Sequence, residues 1–174
     1  SYPQEIYDKA KKNATRAELA AGGNGLINYD SSVPFVIPQN GLEVIWNHVS
    51  RYRGGSVERN VATLPVQRNG GFVAVKQRGL LTAPQYLKDG FDAKKDENVL
   101  FYFTSKIKSP ARLTGNVLLV HETIDQVVQP RMAWVYNAGQ RRVRRAPQIA
   151  FDAPSQASDG LRTSDQYDMY NGAP

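Results

Sequence analysis

Residues 98–122 read NVLFYFTSKIKSPARLTGNVLLVHE, and this stretch decides the fold. Its aromatic and β-branched residues suit a pleated, half-buried surface. Side chains alternate along a strand, so Leu100, Tyr102 and Thr104 share one face while Phe101, Phe103 and Ser105 share the other. Asn116–His121 is apolar almost throughout. Asn98–Lys108 and Ala111–Glu122 are therefore expected to form an antiparallel strand pair.

The same pattern extends to both sides. Upstream, Val57–Val66 and Phe72–Arg78 flank Asn69-Gly70-Gly71, a hairpin signal. Downstream, Met132–Tyr136 and Arg141–Arg145 flank Asn137–Gln140. Residues 81–97 are polar and turn-rich, with a short helical piece near Pro84–Leu87. Before the strands lie two helical segments. Residues 3–21 carry Ile6, Ala10, Ala14 and Ala17 on one side, and Gly22-Gly23-Asn24-Gly25 stops them. Residues 41–52 place Leu42, Ile45, Trp46 and Val49 on one face and end at Gly54-Gly55. Pro34 and Pro38 make the intervening segment a loop or an edge. Two helices followed by at least six antiparallel strands give an α+β pattern.

A chain of 174 residues with 41 % hydrophobic and 22 % charged residues can bury a core of its own. One domain is expected over 1–174: helices over about 3–52, hairpins over about 56–152 and a wrapping acidic loop over 153–174. The first residues enter a helix almost at once, and the last stop in a turn sequence. The chain thus reads as an internal fragment, truncated at its C-terminus. No stretch approaches the ~18 apolar residues of a membrane span. The absence of Cys excludes disulfides and thiol catalysis. The formal charge of +6 is uneven. Residues 148–174 carry Asp152, Asp159, Asp165 and Asp168 against Arg162, a net of −3, which leaves +9 for the rest.

No catalytic motif emerges, and the chain is not expected to be an enzyme. His121-Glu122 begins an H-E pair, but Asp125 stands where a second zinc-binding histidine would be. His48 and His121 are too few for a histidine-rich metal site, and no metal or cofactor is expected. Gly22–Gly25 has no P-loop lysine. The four aspartates of the tail lack the spacing of a calcium loop. Asn13-Ala14-Thr15 matches a glycosylation sequon by chance inside a helix.

The strongest local signal is WVYNAGQRRVRRAP, residues 134–147. On a strand, Arg141 and Arg145 share a face with Val143, while Arg142 and Arg144 take the other. Three readings stay open for these arginines: pairing with acidic loops, contact with an anion or lipid headgroup, and nucleic acid. Their division between faces weighs against nucleic acid, whose readers concentrate charge. In the second helix, Trp46 reads as core or as part of a ligand cavity beneath the sheet.

Residues 34–54, PFVIPQNGLEVIWNHVSRYRG, and residues 134–152, WVYNAGQRRVRRAPQIAFD, resemble motifs of the DUF1329 family of exported Gram-negative proteins. TSDQYDMYNG, residues 163–172, resembles the acidic stretch that follows in that family. The resemblance implies a periplasmic protein, exported by a signal peptide outside this chain, and a tie to outer-membrane lipoprotein sorting. It also implies a curved, incompletely closed antiparallel sheet, like that of lipoprotein carriers, with helices over one face. A hydrophobic ligand or acyl chain would lie between the layers, lined by Trp46, Phe101, Phe103, Leu119 and Trp134. Arg141, Arg142, Arg144 and Arg145 would meet a headgroup or a partner. The expected function is a carrier for a hydrophobic or lipid-like ligand. The alternative is a non-enzymatic adaptor in an envelope transport complex.

Overall fold

The structure, a computed structural model, describes residues 1–87, 92–146, 152–155 and 157–167. The chain opens with helix α1, Gln4–Asn13, whose first turn holds Glu5 and whose last holds Lys11 and Lys12, each complementing the helix dipole. The helix expected over 3–21 therefore ends early. Asn13 ends it, because its buried side chain turns to a loop. Its Nδ2 donates to the Asp30 carbonyl at 2.7 Å, and its Oδ1 accepts from the Asp30 amide at 2.8 Å. Asn13 is 1 % exposed, so the sequon at this position is spent on packing.

Two short strands follow, β1 (Glu18–Leu19) and β2 (Leu26–Ile27), paired antiparallel around the glycine-rich turn. Helix α2 spans Gly41–Val49. The Asn40 side chain accepts from the Glu43 amide at 3.0 Å, and the Glu43 carboxylate accepts from the Gln39 amide at 2.6 Å. The Asn40 side chain thus satisfies an amide that the first helical turn leaves open, and Glu43 holds the residue before the cap.

The main sheet is a six-stranded antiparallel meander in chain order. Its strands are β3 (Ser56–Thr63), β4 (Val75–Thr82), β5 (Val99–Ser109), β6 (Val117–Thr123), β7 (Met132–Asn137) and β8 (Arg142–Arg145). A four-residue helix α3, Ala93–Asp96, lies between β4 and β5. Among the described residues β3 and β8 each have one neighbour, so the sheet is open rather than a closed barrel. The result is the expected α+β arrangement with a curved antiparallel sheet. The turn at Asn69–Gly71 lies outside the strands, where Val66 bridges to Phe72 and the Gln67 amide donates to the Gly71 carbonyl at 2.8 Å.

The register runs straight across the sheet. Arg59 pairs with Gly79, Gly79 with Ser105, Ser105 with Leu118, Leu118 with Val135, and Val135 with Arg144. Leu81, Phe103, Val120 and Ala133 form the adjacent row on the same face. One end of this inner face is covered by α2. Trp46 and Val49 pack there with Leu26, Leu81, Leu100, Phe101 and Ile124. Trp46 is 1 % exposed, and its indole Nε1 donates to the Gly23 carbonyl at 2.8 Å. A buried indole thus brings its area into the core with its N–H satisfied.

Candidate functional site

Beyond the end covered by α2, the inner face opens into a groove of about 600 Å³. That volume is typical of a small-molecule site. Its floor is made by alternate residues of successive strands, among them Val61, Leu81, Phe101, Phe103, Leu118 and Val120. Pro154, Ser155, Arg162, Ser164 and Gln166 complete the wall from the segment after the sheet. That segment folds back on itself through a bridge between Pro154 and Thr163. The Ser155 amide donates to the Arg162 carbonyl at 2.9 Å.

The polar groups of the floor are largely satisfied by one another. Ser105 Oγ donates to Gln77 Oε1 at 2.8 Å. The guanidiniums are the marked feature: Arg53, Arg59, Arg131 and Arg162 all line the groove. The Arg53 guanidinium carbon lies 5.8 Å from the centroid of the Phe101 ring, a cation–π distance.

Arg131 forms a buried ion pair. Its Nε donates to Glu122 Oε2 at 2.6 Å, and the two side chains are 8 % and 2 % exposed. Glu122 Oε1 accepts from Gln126 Nε2 at 3.0 Å. Burial pushes the Glu122 carboxyl above the usual carboxylate range, and the Arg131 charge offsets this only in part. Arg131 Nη2 is shut off from solvent and has no hydrogen-bond partner. Glu122 sits in register with Phe101, the residue whose ring lies beneath the Arg53 guanidinium.

The opposite face of the same strands is different. Tyr102, His121 and Trp134 stack edge to face, with centroid separations of 4.6 Å and 4.8 Å. Tyr102 donates to Asp96 at 2.7 Å, and burial and then the Asp96 carboxylate push its pKa up to about 12. Burial, followed by the charge of Lys95, lowers the His121 pKa.

The expected lining residues are divided by this geometry. Phe101 and Phe103 line the groove. Trp46 belongs to the core beneath α2. Leu119 and Trp134 are register partners on the outer face, one residue out of phase with the groove. Arg141 lies in the turn before β8 with φ 52° rather than on the strand. Arg142 and Arg144 take register positions on the groove face and Arg145 on the outer face, all exposed and none at the groove wall. The arginines that do line it, Arg59 and Arg131 among them, stand alone in the sequence. The one local signal was Glu122, a charge in an apolar strand that burial obliges to find a partner. The acidic tail falls partly at 168–174, outside the described residues.

Among the described residues no helix is long and apolar enough to cross a membrane. Over 172 residues the chain is 58 % identical to the uncharacterized protein PA3922 of Pseudomonas aeruginosa. That match covers 99 % of this chain and 38 % of that protein, so the chain spans well under half of its curated relative. The crystal structure of a DUF1329 family protein from Desulfovibrio piger overlaps with a TM-score of 0.44 at 18 % identity. The overlap covers 74 % of this chain and 52 % of that one. The family described as "Protein of unknown function (DUF1329)" matches residues 1–174. The chain therefore belongs to the DUF1329 family.

Proposed function

We propose that the protein binds and carries a hydrophobic or lipid-like ligand in the periplasm, without transforming it. The observation that carries this reading is the groove of about 600 Å³ with an apolar floor on one face of an open sheet. Each methylene buried there would contribute ~0.8 kcal/mol. The charged groups at the groove are guanidiniums, which pair with anions and do not lose protons at neutral pH. That chemistry suits holding a ligand rather than acid–base turnover. The periplasmic location, and a part in lipid or lipoprotein traffic to the outer membrane, follow from the resemblance to exported proteins. Fractionation of the native host, with the full-length protein followed by antibody, tests the location.

Native mass spectrometry of the full-length protein from its own host should reveal a bound species of lipid mass. A fluorescent fatty acid should bind it saturably. A protein that carries nothing and leaves the probe unbound would end the carrier reading.

One observation favours the adaptor alternative. The edge strand β3 and the turn after it expose Val61, Leu64, Val66, Phe72 and Val73, each more than 40 % accessible. An open edge with apolar side chains can accept a strand from another protein. Pull-down with the full-length protein should then recover an envelope component, and Phe72→Lys should abolish the recovery.

A further inference from the structure

The two edges of the main sheet are finished differently. At one edge β8 is a four-residue strand, Arg142–Arg145, made of arginine but for Val143. A short, charged strand is how an edge that faces water avoids pairing with another chain. At the other edge β3 runs for eight residues, SVERNVAT, with no Pro and no Lys. All of them but the half-buried Thr63 are exposed, so both faces are open as well as the edge. Val61 lines the groove and is 43 % exposed. The acidic side chain of β3, Glu58, is held within the sheet by Arg78.

The backbone of β3 alternates in what it faces. The Ala83 amide donates to the Gly55 carbonyl at 2.8 Å, and the Gln67 amide to the Gly71 carbonyl at 2.8 Å. Both pairs continue the register that sets Val57 opposite Leu81 and Val61 opposite Gln77. Hydrogen-bonded pairs alternate along an antiparallel ladder, so Val57, Arg59, Val61 and Thr63 turn their amides and carbonyls to β4. Ser56, Glu58, Asn60 and Ala62 turn theirs away, and among the described residues no strand lies on that side.

We propose that in the full-length protein a strand from outside residues 1–174 pairs with β3 and continues the main sheet. An open row of amides and carbonyls beside apolar side chains is a template for another strand. The 58 % identical relative from Pseudomonas aeruginosa extends well beyond this chain, which covers 38 % of it. A covalently joined strand meets the edge at an effective concentration of about millimolar, above that of a free partner of ordinary abundance. The added strand would shelter Val61 and wall the groove on the side where Arg59, Val61 and Thr63 line it. The carrier reading does not depend on this strand, whereas the adaptor alternative would lose its edge to it.

The test uses purified full-length protein. Amide exchange is read residue by residue, by mass spectrometry with electron-transfer fragmentation. Ser56, Glu58, Asn60 and Ala62 should exchange within ~10-fold of Val57, Arg59 and Val61, at rates unchanged by about 100-fold dilution. Fast exchange at those alternate amides alone overturns the proposal. Protection that is lost on dilution also overturns it, since it marks a second copy. Asn60 replaced by the photo-cross-linking residue benzoylphenylalanine then identifies the neighbour in the native host. The adduct should join β3 to a segment of the same chain outside residues 1–174, in a product of monomer mass. An adduct to a second copy, or only within residues 1–174, overturns the proposal. An adduct to another protein overturns it in favour of the adaptor. Where no adduct forms, the exchange pattern decides alone.

Discussion

The two faces of the main sheet are built from the same strands and have opposite character. The inner face carries Phe101, Phe103, Leu118 and Val120 around an open groove, with guanidiniums at its wall. The outer face fills its space with stacked rings, Tyr102 on His121 on Trp134, and with exposed ion pairs such as Glu58 to Arg78. Neighbours in sequence thus belong to different environments: Leu118 faces the groove and Leu119 the outer side, and Glu122 is buried beside the exposed-side His121. The difference teaches that one residue of register separates an open groove from a face of stacked rings.

The buried pair offers the largest way to break this division. Removing Glu122 with Glu122→Ala, or Arg131 with Arg131→Met, strands a buried charge and should cost ~3–5 kcal/mol in urea unfolding of the full-length protein. Arg131→Met/Glu122→Leu should recover most of that loss, since an apolar pair of similar volume is often neutral. Equal losses in single and double variants would show that packing, not charge, matters there.

The neighbouring leucines sharpen the comparison further. Leu118→Glu places a carboxylate in the groove and should weaken fatty-acid binding at least ~10-fold, whereas Leu119→Glu should change it less than ~2-fold. Comparable effects of the two would erase the distinction between the faces.

A smaller effect concerns pH. Glu122 holds its proton more tightly folded than unfolded, so its contribution makes stability fall as pH rises from its ordinary 4.5 toward its folded value. His121 holds its proton less tightly when folded, so its contribution is lost as pH falls from 6.5. Glu122→Gln should remove the first slope and His121→Gln the second, read from denaturant midpoints across pH. The smallest effect belongs to Arg78→Ala. It opens an exposed pair to Glu58 and should leave the midpoint unchanged within error.

Much of the sheet was legible in the sequence, because alternation over Val99–Ser109 declares its own faces. Phe101 and Phe103 were placed for that reason. NVLLVH is apolar on both faces, so its period does not say that Leu118 rather than Leu119 turns inward. Trp134 is bulky and apolar, which suits a packed outer face as well as a groove. The helical face of Trp46 was visible, but not that Gly23 would take its N–H. Arg131 and Arg59 stayed hidden because an isolated arginine has no local signature. The cluster after Asn137, conspicuous in one dimension, projects into solvent. The end of α1 was masked in the same way, since the loop at Asp30–Val33 that captures Asn13 is distant in sequence.

Gly79 sits in the inner row between Arg59 and Ser105. A Cβ built there would meet the Phe103 ring at 3.4 Å and Arg59 Cγ at 3.7 Å. The ring therefore lies close to bare backbone, at a distance where a Cβ would be in ordinary contact with it. A methyl at this position is a contact the ring can meet. A side chain at this one position would thus press on both the Phe103 ring and the Arg59 stem, two groups that line the groove.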